Sequence, residues 1–135
     1  MIKDAQMGKE IVVTVMNKIG ILADLSKVLA DHGINIEAVA GYTKENEARI
    51  MLVTEDNQRA MDALIKAGYK AAKESPVLML TLENKAGVLK NVTSRLNSEN
   101  IDIKYIYGTT CMSACPGRLI LSTNDDERAL VVFKR

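Results

Sequence analysis

The feature that most limits what this chain can fold into is that it contains itself twice. Asn17-Lys18-Ile19-Gly20-Ile21-Leu22 recurs 67 positions later as Asn84-Lys85-Ala86-Gly87-Val88-Leu89. The same offset pairs Leu25 with Val92, Leu29 with Leu96, Ile34 with Ile101 and Ile36 with Ile103. After a two-residue insertion the offset becomes 69, pairing Arg49-Ile50-Met51-Leu52 with Arg118-Leu119-Ile120-Leu121 and Arg59-Ala60-Met61 with Arg128-Ala129-Leu130. Self-similarity at a fixed period marks a repeated supersecondary unit.

Each copy reads strand, helix, strand, strand, helix. Residues 10–16 and 77–83 are rich in β-formers and lead into a turn containing glycine. Ile11, Val13 and Val15 answer to Leu78, Leu80 and Leu82, while Thr14 and Thr81 stand on the alternate, less apolar face. Leu22, Leu25, Val28 and Leu29, and again Leu89, Val92 and Leu96, have helical spacing. Gly33 follows the first of these helices and Asn100 the second, the two residue types that best tolerate a left-handed helix end. Alternating strands at 34–38 and 101–105 lead by a hairpin to third strands near 48–54 and 117–123. Asp56, and Asp125 or Asp126, are placed to cap the second helices. Gly68 ends the first of those helices, and Tyr69–Glu74 is a short, weak candidate for a fourth strand.

This order predicts an α+β fold of two ferredoxin-like βαββαβ repeats, at 9–75 and 76–135, each an antiparallel sheet with helices on one face. The second copy stops at Phe133-Lys134-Arg135, where its second helix should end. Its last strand is either lacking or supplied from elsewhere.

Composition removes several function classes. Lys and Arg number 18 against 17 Asp and Glu, so no global field recruits nucleic acid or anionic lipid. Aromatics are 4% of residues with no Trp, which leaves few platforms for stacking single-stranded bases. No apolar run reaches the roughly 18–20 residues that span a bilayer, residues 1–8 lack a signal-peptide core, and two cysteines are too few for a disulfide framework. A cytoplasmic location is the expectation, with no membrane and no nucleic acid as partner.

The turns at Asn17–Leu22 and Asn84–Leu89, each followed by an amphipathic helix and then Gly-Ile-Asn-Ile-Glu or Asn-Ile-Asp-Ile-Lys, resemble the ACT domain. The resemblance covers both copies, and the whole is similar to small tandem ACT proteins without a catalytic domain. It implies a regulatory protein binding a small effector, usually an amino acid, near these turns at interfaces between domains, with side-by-side sheet pairing; the apolar content of both sheet faces, more than a solvated face needs, points to a homodimer. The usual Pro of the motif is replaced by Ile19 and Ala86, which costs the turn some rigidity. The ligand-binding candidates are therefore Asn17, Lys18, Ile19, Gly20, Ile21 and Leu22 with Asn84, Lys85, Ala86, Gly87, Val88 and Leu89. Physically, a Gly at the mouth of a helix lets a ligand approach unpaired main-chain N–H groups, which favour a carboxylate. Asn17 or Asn84 can meet an ammonium through its oxygen or a carboxylate through its amide. The plainer reading is that Asn and Gly only build a tight turn.

Other residues carry weaker suggestions. His32, the one histidine, falls near a helix C-terminus and is expected to serve as a surface cap. One histidine also leaves no Ser-His-Asp set, so no enzyme and no cofactor are expected. An acylphosphatase-like enzyme would need an arginine in the turn after the first strand, where Lys18 and Lys85 stand. Cys111-Met112-Ser113-Ala114-Cys115 offers a soft-metal or redox pair, although C-x₃-C is a poor zinc spacing. Tyr105 and Tyr107, where the first copy has Ala38 and Ala40, are ordinary core or interface packing, or fill a half-site so that one functional pocket is left, or form the platform of an RNA-binding module.

Overall fold

The computed structural model describes residues 1–110 and 115–135. The described residues form β1 (Ile2–Met16), α1 (Ile21–Asp31), β2 (Ile36–Lys44), β3 (Glu47–Thr54), α2 (Asn57–Lys66), β4 (Lys73–Leu82), α3 (Val88–Ser98), β5 (Ile103–Thr109), β6 (Gly117–Thr123) and α4 (Asp126–Lys134). They divide into two compact units, Lys9–Ser75, and Met1–Gly8 together with Pro76–Arg135.

In the first unit the strands are ordered β2-β3-β1, with the opening residues of β4 beside β1. Antiparallel pairing sets Ile11 opposite Leu52, Val13 opposite Ile50 and Val15 opposite Ala48. Period-2 alternation then turns Ile11, Val13, Ile50 and Leu52 to one face. There they close on Leu25 and Leu29 of α1 and Ala60 and Leu64 of α2, and most of this cluster is fully buried.

The second unit repeats this register residue for residue. Leu78 faces Leu121, Leu80 faces Leu119 and Leu82 faces Gly117. Its core holds Leu78, Leu80, Leu82, Val92, Leu96, Ala129, Val132 and Phe133. Even the irregularities match, since the β2–β3 ladder slips between Ile36 and Ala38 and the β5–β6 ladder between Ile103 and Tyr105. The two-residue insertion falls in the segment joining β5 to β6; Cys111, Met112, Ser113 and Ala114 lie outside the described residues.

Local signals act as the sequence indicates. Gly33 and Asn100 both adopt positive φ, 66° and 57°, at the ends of α1 and α3. Asp56 and Asp125 cap α2 and α4, each carboxylate accepting the N–H of the residue three positions on, Arg59 or Arg128, at 3.1 Å. Behind each cap sits a buried threonine: Thr54 Oγ1 donates to Asn57 Oδ1 at 2.8 Å, and Thr123 Oγ1 to Asp126 Oδ1 at 2.7 Å.

The fourth strands differ from the sequence expectation. β4 runs unbroken from Lys73, so the first unit's last strand is its opening residues rather than Tyr69–Glu74. β1 begins at Ile2 rather than near residue 10, and Ile2–Gly8 belong with the second unit. There Ala5 is buried in the core, Ile2 packs against it, and the Glu83 N–H donates to the Met1 carbonyl at 2.9 Å. Residues 1–8 carry Lys3, Asp4, Gln6 and Gly8 and have little β-propensity, so pairing with β4 rather than local preference makes them a strand. The second copy's last strand is thus supplied from before its first.

Ala5→Asp, which places a charge in that core, is expected to cost about 3 kcal/mol or more. Asp4→Ala on the exposed side should change stability by less than about 0.5 kcal/mol. Urea unfolding of the two variants measures the difference, and equal effects would contradict a core role for this strand.

Candidate functional site

In each unit the first strand runs into a turn that opens a helix. In the first unit the Asn17 N–H donates to the Asn46 carbonyl at 2.7 Å, which ties the turn to the β2–β3 hairpin. Gly20, the N-cap of α1, has φ 87° and ψ 6°, a left-handed conformation that strains any residue with a Cβ. No side chain caps the helix. The Asp24 N–H turns back to the Gly20 carbonyl at 2.9 Å, but the N–H groups of Leu22 and Ala23 find no acceptor among the described residues. A helix start left in this state attracts an anion.

Beside it lies a cleft of about 450 Å³ lined by Ile21, Leu22, Val39, Ala40, Gly41, Tyr42, Thr43, Ala48 and Ile50. Its floor is the helix-side face of β2 and β3, and its lining is mainly apolar. Gly41 keeps the floor low. A Cβ there would meet nothing nearer than Ile50 Cγ1 at 3.6 Å, so the space it leaves is open rather than a steric necessity.

Of the residues singled out in the first turn, Ile21 and Leu22 line this cleft. Asn17, Lys18, Ile19 and Gly20 are exposed on the turn and do not. Lys18 pairs with Asp24 at 3.2 Å in a solvated ion pair of small energetic value, and Ile19 is fully exposed.

The second unit builds the same turn with different chemistry. Gly87 caps α3 at φ 88°, again with no side-chain cap. The adjoining cleft is smaller, about 210 Å³, and Glu83, Asn84, Lys85 and Arg118 join Val88, Leu89 and Leu119 in its wall. Ala86 and Gly87 lie outside it. Where the first copy has Met16, Ile19 and Tyr42, the second has Glu83, Ala86 and Thr109, so the first turn carries more apolar surface than the second.

The sequence reading missed the strand half of each cleft. The signal was present, because Gly41 recurs as Gly108 at the same 67-residue offset in otherwise β-rich segments. His32 is an exposed cap: its Nδ1 lies 2.8 Å from the Val28 carbonyl, and its own carbonyl accepts from Arg59 at 2.6 Å. Tyr105 and Tyr107 are half-buried and each is engaged with a partner, unlike the exposed platforms RNA stacking needs. Of the cysteine segment only Cys115 is described, and its sulfur is not free, while Cys111 lies outside the described residues.

Lys85 Nζ stands 2.9 Å from Glu83 Oε2, and the Met1 amino group 3.3 Å from Oε1. These hydrogen bonds and charges, Lys85 first, hold the Glu83 carboxyl below its ordinary range. A lowered folded-state value means the pairing is in place above the ordinary carboxylate range and is lost as pH falls through that lowered value. Lys85→Met should move the Glu83 titration upward in an NMR pH series. An unmoved titration would show that Lys85 does not set it.

Residues 9–67 match the family model described as the ACT domain. No curated protein matches the chain. Among solved structures, protein BT0572 from Bacteroides thetaiotaomicron is similar at a TM-score of 0.88 and 22% identity, covering 96% of this chain and 88% of that one. The ligand-free regulatory subunit of aspartate kinase from Thermus thermophilus is similar at 0.65 and 14%, covering 98% and 96%. E. coli aspartokinase III in complex with lysine and aspartate is similar at 0.55 and 18%, covering 98% of this chain and 32% of that one. At such identities the likeness concerns the fold, and it extends over both repeats, whereas the family match is confined to the first. The match to the ACT domain model thus lies within the first unit of this chain, Lys9–Ser75.

Proposed function

We propose that this protein is a regulator that senses an amino acid, held at the α1 turn of the first unit. The observation that carries the reading is the conjunction at one place of an uncapped helix start, a left-handed Gly20 and an apolar cleft. The two free N–H groups suit an α-carboxylate. The cleft walls formed by Leu22, Val39 and Ile50 suit an aliphatic or aromatic side chain better than a charged one. The solved structures add weight, since one similar protein is a regulatory subunit and another was crystallised with two amino acids.

The binding unit is a homodimer in this reading. Met16, Ile19, Leu22, Val39 and Tyr42 are all exposed at this end of the first unit, and β2 is an edge strand. A second copy would cover apolar surface that water otherwise wets and would close the cleft's open side. Occupancy would then bias the association, which is how a sensor transmits. The regulated target is an enzyme or regulator of amino-acid metabolism.

Thermal unfolding against the twenty amino acids tests the proposal. A ligand at 100 times its Kd should stabilise by about 2.7 kcal/mol, a shift of several degrees for a domain this size. Gly41→Val fills the cleft without backbone strain and should abolish the shift while leaving the unliganded Tm nearly unchanged. If no amino acid moves the transition, or if Gly41→Val responds as the parent does, the reading is wrong.

A further inference from the structure

We infer a second binding site in the first unit, for a phosphate group, on the sheet face turned away from the helices. It is independent of the amino-acid cleft. A pocket of about 170 Å³ is lined by Val12, Thr14, Arg49, Ala71, Lys73, Glu74 and Ser75. Thr14 and Arg49 are directly opposed in the β1–β3 ladder, so their side chains share a face. Their neighbours Val13 and Ile50 point into the helix-side core, which places this pair on the other face. Beside β1, Ala72 packs in that same core, so alternation sends Lys73 and Ser75 to the face of Thr14 and Arg49 and Glu74 to the opposite one.

Two cations and two hydroxyls therefore converge on one small pocket. Arg49 is half-buried, yet no ion pair or hydrogen bond engages its guanidinium among the described residues. Glu47, two residues earlier on the same face of β3, neither lines the pocket nor pairs with Arg49. A half-buried guanidinium without a carboxylate is an unmet demand for a planar or tetrahedral oxyanion, which it can grip in a bidentate manner. Lys73 adds a second unit charge and the hydroxyls add donors. A phosphate carrying close to two negative charges at neutral pH balances Arg49 and Lys73 together. A carboxylate would balance only one.

Titration of the full chain with inorganic phosphate at constant ionic strength, followed by arginine Nε–Hε NMR, tests this. The Arg49 signal should shift and saturate, with Arg118 unmoved. Arg49→Gln and Lys73→Met should each weaken phosphate by about tenfold or more. Arg49→Lys, which keeps the charge and loses the fork, should fall between parent and Gln. Acetate should bind more weakly than phosphate. A phosphomonoester such as glycerol 3-phosphate, binding more tightly than inorganic phosphate, would assign the site to a phosphorylated metabolite; equal binding would assign it to the free ion. A non-saturating Arg49 shift, an Arg49→Gln chain that binds as the parent does, or acetate matching phosphate would overturn the proposal. Gly41→Val should leave phosphate binding intact, so failure here and failure at the amino-acid cleft read separately.

Discussion

An inner β-strand must find hydrogen-bond partners on both sides, and this requirement organises the second unit. β4 has β6 on one side and β1 on the other. Within β1 the residues ahead of the first repeat take that place, and Ala5 completes the core beneath them. Unpaired main-chain N–H and C=O groups along a buried strand would cost more than ordering residues 2–8 does. A sequence with little β-preference is thereby drawn into an extended conformation.

With that edge closed, both units present the same frame, a helix-covered sheet whose first strand empties into a glycine turn. The turn's geometry is preserved while its surroundings diverge. In the first copy the helix start borders an apolar cleft over Gly41, and in the second an ion pair between Glu83 and Lys85 stands at the corresponding place. One scaffold thus carries two unlike chemistries. This divergence is the main reason the proposed ligand site is placed in the first unit rather than in both.

Much of this was legible in the residues themselves. The offsets of 67 and 69 predict the strand registers pair by pair, because antiparallel partners must shift together when a unit is copied. Gly33 against Asn100, and Asp56 against Asp125, could be read because few residue types satisfy a left-handed helix end or an N-cap. What escaped was set by distant pairing. Residues 2–8 carry no local β-signal, and the boundary between Tyr69 and Lys73 depends on where β1 offers partners. Of the candidate site, the turn was visible as a motif. Its strand wall was not, since β2 and β3 meet α1 only through the fold. Arg49 drew attention merely as part of the repeat, for nothing in a linear sequence tells that a cation lacks a counter-charge.

The borrowed strand also bears on the order of events during synthesis. Lys9–Ser75 is one contiguous stretch and is available for folding as soon as it has been translated. The other unit joins residues 1–8 to residues 76–135 across it, so its sheet cannot close until those later residues have been made. Residues 2–8, made before the first unit, must wait for partners made after it. A duplication that produced two alike halves has left them with unequal schedules, one able to assemble as soon as its own stretch is made and the other only after the stretch beyond it.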